Sequence, residues 1–411
     1  VSFDRGAGWV AAIADVHLGN HRTLARPSSA GVNDRALEVA RLLGESLRVA
    51  SDANAAALIV CGDLMDVDDP TPQLLTLAAD VLAESPIPVL LLVGNHDQRS
   101  ALRGDHALGP LGAVNRVRVV DTPCVVPLAT PRGPVDVLMV PFQHGPAADY
   151  IPARLRELAA QCRPDAARIA AVHAGIEDAT TPHFLRGSSE AIPANTLLAA
   201  MTAADVRVQW TFAGNWHNRA LWRVRDEGFP GAYAGVQQVG ALAPTGFDNP
   251  GGAGRYGGVA FVAPHAGVAG ALELPGPRFF RVSTDAELSA ALTDRSALRR
   301  YIHRVAPPDA VKAVRAQMDE LTETGTVCGV LVDVHDPTEE DRRATVTQTV
   351  QSATTLEMAL AAYVAAMPDT ALEAPLDAAP VTPSEVLATA RRFLGLSSSA
   401  LLADLTVPAQ P

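Results

Sequence analysis

"IPVLLLVGNHD" (residues 87–97) is the stretch on which the reading of this chain turns. Residues 89–93 are uninterruptedly apolar and lie between a proline and a glycine. A short run of that kind reads as a strand buried on both faces. Asn95, His96 and Asp97 follow directly. Three polar side chains add nothing to packing at that point, whereas open α/β sheets carry their sites just beyond the carboxyl ends of strands.

Working outward, the same punctuation recurs. "WVAAIAD" (9–15) runs into "DVHLG" (15–19), and "ALIVCGD" (57–63) into "GDLMD" (62–66). "RIAAVHA" (168–174) contains "VHAG" (172–175), and "VQWTFAG" (208–214) runs into "GNWH" (214–217). Asp-x-His places a carboxylate and an imidazole on one loop. Asp63 has two carboxylate oxygens and can bridge two ions. Aspartate, histidine and asparagine are oxygen and nitrogen donors suited to manganese, iron or zinc. A Gly-Asp turn or a lone histidine means little by itself; five such clusters, each closing a strand, form a set.

Between these strands lie helical patterns, with Ala36, Val39, Ala40, Leu43 and Leu47 along one face of 34–50 and proline opening 72–85. Residues 220–274 read as successive strands. The expected fold class is α/β with a layered core. A small α/β unit, expected over 275–345, has strands at 278–282, 299–305 and 327–334 and helices at 285–293 and 308–322. Residues 346–411 are expected to hold a helix (353–366), a Pro-rich linker (367–383) and a last helix opened by a capping box of Thr382, Pro383 and Glu385. The apolar stripe of Val386, Leu387, Ala390, Phe393 and Leu394 suits a partner surface.

The chain has 411 residues, 48% of them apolar, which is enough for more than one domain. No apolar run reaches the roughly 18–20 residues that span a bilayer, and the first residues lack the order of a signal peptide. A cytoplasmic protein with no membrane partner is expected. Cys61, Cys124, Cys162 and Cys328 form no C-x-x-C pair and are expected as free thiols. The net charge of −12 argues against a free-standing nucleic-acid binder.

Taken in order, these motifs resemble the calcineurin-like metallophosphoesterase superfamily, over about residues 1–265. "DVHLG", "VGALAPTGF" (239–247) and "PRFFRVST" (277–284) further resemble the SbcD nuclease subunit of SbcCD-type DNA repair complexes, and "TTLEMALAAYV" (354–364) a late helix of phage and bacterial SbcD-like proteins. The resemblance implies a metallophosphoesterase domain over 1–274, a layered β-sandwich flanked by helices, with a capping domain over 275–345 and an ATPase-docking helix in 346–411. It implies two divalent ions, manganese first, with magnesium, iron or zinc as alternatives. Asp15, His17, Asp63 and His217 would hold one ion; Asp63, Asn95, His173 and residue 215 the other. His96 would be the general acid, with Asp66 and Asp97 orienting ligands.

The implied activity is that of a DNA exonuclease and endonuclease subunit acting on DNA ends with an SbcC-like, SMC-type ATPase, the subunit itself able to form a homodimer. A small-molecule phosphodiesterase or phosphatase of the same superfamily, and a non-catalytic DNA-end tether, are the alternatives. Asn215 stands where the family has histidine. Three outcomes follow: it ligates a harder ion, it leaves the place to water, or the second site has decayed. Arg22, Arg26, Arg99 and Arg103 follow the first and third motifs and are candidate DNA phosphate contacts, with solvated loop arginines as the alternative. His21, His144 and His183 are not expected to be ligands, and Trp210, Trp216 and Met65 are expected to pack.

Overall fold

In the computed structural model of the chain, residues 3–21, 23–181, 185–247, 258–295 and 297–334 are described. Arg22, His183 and everything expected beyond residue 334 lie outside them.

The first sheet is built from β1 (Val10–Ile13), β2 (Leu58–Cys61), β3 (Val89–Leu92) and β4 (Val117–Val120). The helices α1 (Asp34–Asp52) and α2 (Pro72–Ala83) lie between successive strands. The second sheet takes β5 (Cys124–Thr130), β6 (Gly133–Val140) and, after helix α3 (Ala147–Ala159), β7 (Ala167–His173). A short ribbon of β8 (Gly175–Glu177) and β9 (Ala191–Pro193) leads into α4 (Ala194–Thr202). The chain then adds β10 (Trp210–Gly214), β11 (Ala220–Arg225) and β12 (Tyr233–Gln238) to the second sheet. It returns to the first with β13 (Val259–Ala263) and β14 (Val268–Leu272).

Each main sheet has six strands, in the orders β14-β13-β1-β2-β3-β4 and β11-β12-β10-β7-β6-β5. Neighbours within β1 to β4, and within β6, β7, β10 and β12, pair parallel. The outer strands join antiparallel. The parallel core explains the uninterrupted apolar runs, because alternate residues enter different cores. Ile13, Val60 and Leu91 pack with Leu42 and Leu43 of α1. Ala12, Ile59, Leu90 and Leu92 meet Val137, Met139, Ile169 and Phe212 of the other sheet. Leu138, Ala170 and Val172 pack under α3 and α4, against Ile151, Leu155 and Leu197. The result is a helix–sheet–sheet–helix sandwich, the layered fold expected from the motif pattern.

From Gly276 the chain forms β15 (Gly276–Val282), α5 (Asp285–Thr293), β16 (Ala297–Ala306), α6 (Val311–Glu323) and β17 (Gly329–Val334). The three strands form one sheet over an apolar core of its own, with Val282, Leu288, Ile302 and Met318. Thr284 and Glu287 cap α5 reciprocally. Arg35 of α1 ties this sheet to the sandwich, its guanidinium 5.3 Å from the Phe279 ring and 5.6 Å from that of Tyr301. Arg299 adds a bond to the Asp34 carbonyl. The four cysteines are free thiols. Among the described residues, no helix is long and apolar enough to cross a membrane.

Candidate metal centre

Parallel pairing brings the carboxyl ends of β1, β2 and β3 to one rim, and those of β7 and β10 to the rim facing it. Hydrogen bonds lace the two. The Asn215 amide donates to Asp15 Oδ1 at 2.8 Å, and His173 Nδ1 donates to the Cys61 carbonyl at 2.8 Å. Asp15, His17, Asp63 and Asn215 all have left-handed backbones, with φ of 48°, 49°, 52° and 86°. That conformation is costly for a side chain bearing a Cβ and is held only where the surroundings enforce it.

Space for the polar groups comes from glycine. A Cβ on Gly62 would fall inside the His173 ring, and one on Gly94 inside the Asp63 carboxylate. Asp97, fully buried, accepts from the Met65 and Gly94 amides at 2.9 Å each, and so joins the second and third loops.

Asp63 lies at the centre. Its Oδ1 accepts the His96 amide at 2.9 Å, and its Oδ2 is 3.3 Å from His173 Nε2 and 4.0 Å from His17 Nε2. On one side, His17 Nε2 and His217 Nε2 stand 3.0 Å apart, with Asp15 beside them. On the other, His173 Nε2 meets Asn95 Oδ1 at 2.8 Å. His17 Nδ1 is 3.4 Å from Asp66 Oδ1, a charge contact longer than a well-formed hydrogen bond. His96 is exposed at the rim, its ring centroid 4.8 Å from that of His17, and its Nδ1 is 3.0 Å from the Asp66 carbonyl.

The electrostatics are those of a cage built for cations. Burial, with the Asp63 charge, pushes the Asp15 carboxyl up to about 6. Burial and the neighbouring His17 hold His217 down to about 4, so it stays neutral and free to donate its lone pair. Burial works against a charge on His173, yet the carboxylates of Asp63 and Asp15 outweigh it and raise His173 well above the ordinary histidine range. Burial likewise opposes the Asp63 charge, and His173 overcomes it, holding Asp63 low.

A fit to divalent cations follows from three features. Asp15 Oδ2 is buried with no hydrogen-bond partner. Two imidazole nitrogens face each other. A proton on His173 does the work of a positive charge among carboxylates. Ligand atoms of Asp15, His17 and His217 lie within 4.8 Å of one another, as do those of Asp15, Asp63 and His173, and those of His17, Asp63 and His96. Asp15, His17, Asp63, Asn95, His96, His173 and His217 are thus brought together.

Asn215 has a left-handed backbone, with φ of 86°. Its Nδ2 turns to Glu190, 3.4 Å from the carbonyl and 3.5 Å from Oε2. Of the expected DNA arginines, the three that are described bond within the chain. Arg26 reaches the Thr322 carbonyl, Arg99 the Asp68 carbonyl and Asp69, and Arg103 lies 3.8 Å from Asp121. Burial, with Arg35 beside it, lowers His21 to about 4. Met65 is fully buried, and Trp210 nearly so, as packing residues. Trp216 sits over Gly175, where a Cβ would meet its ring.

Gln238 is a positioning residue that sequence reading missed. Buried at the end of β12, it accepts from the Ile176 amide and donates to the Asn218 carbonyl, joining the His173 and His217 loops. The glutamine pair Gln237–Gln238 in the otherwise apolar "VQQVG" (236–240) was its one signal. "VGALAPTGF" lies against the first loop, the Leu242 amide 3.0 Å from the Ala14 carbonyl and Thr245 accepting from Arg35.

A helix-flanked α/β sandwich with carboxylates and imidazoles at facing strand ends is the metallophosphoesterase fold. Residues 8–194 match the family model of the calcineurin-like phosphoesterases. No curated protein matches the chain. Among solved structures, a 5'-nucleotidase precursor from Thermus thermophilus is similar at 14% identity with a TM-score of 0.35, over 64% of this chain and 53% of that one. The chain therefore spans about half of that nucleotidase's length. Another solved chain is similar at 10% identity with a TM-score of 0.34, over 62% of this chain and 94% of its own.

Proposed function

We propose that this chain is a metal-dependent phosphodiesterase acting as the nuclease subunit of an SbcCD-type DNA end-processing assembly in the cytoplasm, partnered by an SbcC-like ATPase. The observation that carries hydrolysis is the position of Asp63: one buried carboxylate between the His17–His217 pair and the His173–Asn95 pair, with His96 exposed beside it. The nuclease assignment is supported by the resemblance of "DVHLG", "VGALAPTGF" and "PRFFRVST", the second of which lies against the Asp15 loop.

Two divalent cations, when bound, polarise a phosphoester and make water acidic enough to attack near neutral pH. Asp15, His17, His217 and Asp63 would hold one, and Asp63, Asn95 and His173 the other. Asp66 steadies the His17 ring, and the Cys61 carbonyl fixes His173 with its Nε2 toward Asp63. The Asp66 carbonyl holds His96 Nδ1, leaving Nε2 free to carry a proton to the departing oxygen.

The test is a metal screen on linear duplex DNA, a single-stranded circle and a chromogenic phosphodiester, with and without the ATPase. Manganese-dependent cleavage of DNA is expected. A second reading, a small-molecule phosphodiesterase or phosphatase, is favoured by one observation: Arg26, Arg99 and Arg103 are all tied to groups of their own chain. Turnover of the chromogenic ester with no DNA cleavage in any metal would decide for it.

A further inference from the structure

A cleft of about 480 Å³ opens beside the His217 loop, lined by Asn215, Trp216, His217, Arg219 and Thr245 among others. Arg219 is the one lysine or arginine among its described lining residues. Other arginines of the flanking segments are engaged. Arg207 lies 3.9 Å from Asp226, Arg225 is paired with Glu227 at 2.9 Å, and Arg223 stacks 5.5 Å from the Trp210 ring. Asp178, the acid of the same cleft, is held by Trp222 and Thr180.

Arg219 has no such partner. Its Nη1 is buried and makes no hydrogen bond, and among the described residues the guanidinium forms no ion pair and lies over no aromatic ring. A buried guanidinium nitrogen without an acceptor is an uncompensated cost, and proteins rarely leave one so. The backbone that carries it is pinned on both sides. Asn215 donates to Asp15, the His217 carbonyl accepts from Ala241 at 3.0 Å, and the pairing of β11 with β12 begins at Ala220 and Gln238. An unpaired cation is therefore held two residues from His217, at the edge of the metal centre.

We infer that Arg219 is a substrate-binding residue whose guanidinium takes a non-bridging phosphate oxygen of the phosphoester held at the His217 rim. The planar fork of arginine matches paired oxygens of a phosphate, and cations held by the adjoining carboxylate–imidazole cage would attract the same group. The inference rests on the phosphoester-hydrolase reading and adds to it a residue that no motif marked.

The experiment uses the full chain loaded with manganese, inorganic phosphate as the probe in calorimetric titration, and the variants Arg219→Gln and Arg219→Lys. Losing one charge-assisted contact should weaken phosphate by roughly 10- to 100-fold in the glutamine variant. Lysine should recover part of the loss. KM for a chromogenic phosphodiester should rise in parallel, while metal content and melting temperature stay at their wild-type values. Unchanged phosphate affinity in Arg219→Gln overturns the inference, as does a wild-type protein that binds no phosphate. Loss of metal or of thermal stability in that variant also overturns it, by making the arginine structural. A wild type that binds phosphate through Arg219 but cleaves no ester refutes the hydrolase reading alone.

Discussion

Asp63 and His96 are adjacent in space, joined by the bond from the His96 amide to Asp63 Oδ1, yet their chemistry separates them. Asp63 is buried to 1% exposure between two groups of ligands, so its charge serves both. Asp63→Asn keeps the shape and removes that charge. Hydrolysis should vanish with every metal, and elemental analysis should show loss at both positions; near-normal turnover would refute the shared carboxylate. His96 reaches outward instead. His96→Ala should lose roughly 10²- to 10⁴-fold in rate, the range of a general acid, while holding its full metal content. A variant depleted of metal would make His96 a ligand, a role its place in the group with His17 and Asp63 also permits.

At the scale of the element, the turns after the strands set the geometry. Gly94 has to pass beside the Asp63 carboxylate, and nothing larger than hydrogen fits there. Gly94→Ala should therefore displace Asp63, lower metal content and destabilise the protein by about 1–3 kcal/mol, the usual cost of overpacking. Gly109→Ala is the control, since a Cβ there meets nothing within 4 Å. Equal melting temperatures for the two would show that the loop yields without cost. The helices were unequally legible. α1 carries a clean apolar stripe and an Asn33 cap, whereas α3 contains Pro152, a residue that ordinarily interrupts a helix.

For the whole molecule, the cage couples cations to protons. Without metal, His173 is raised by Asp63 and Asp15 and carries a proton at neutral pH. As a ligand it must give that proton up, so metal competes with it. Metal affinity should rise as pH rises from about 6 toward 8, and calorimetric heats should vary with the ionisation enthalpy of the buffer, reporting about one proton released per molecule. Buffer-independent heats would remove this account of His173. Beyond residue 366 the chain is expected to serve a partner. Truncation there should leave the chromogenic ester reaction intact and abolish binding of the ATPase; loss of folding would place the helix expected over 382–395 in the core.

The sequence by itself determined the strands, the order of the motifs and the residue types of the site. A strand buried on both faces is an unbroken apolar run, and its end is marked where polar residues begin, both of them local signals. Only the tertiary structure decided which side chains of different motifs meet, and at what distance. His17 and His217 stand 200 positions apart, and their 3.0 Å approach depends on two sheets facing each other, which no period in the sequence encodes. The turn of Asn215 toward Glu190, the cross-link through Gln238 and the unpartnered guanidinium of Arg219 belong to the same class. Each depends on groups distant in the chain, and a side chain's partner is set by the packing of layers rather than by its neighbours in sequence.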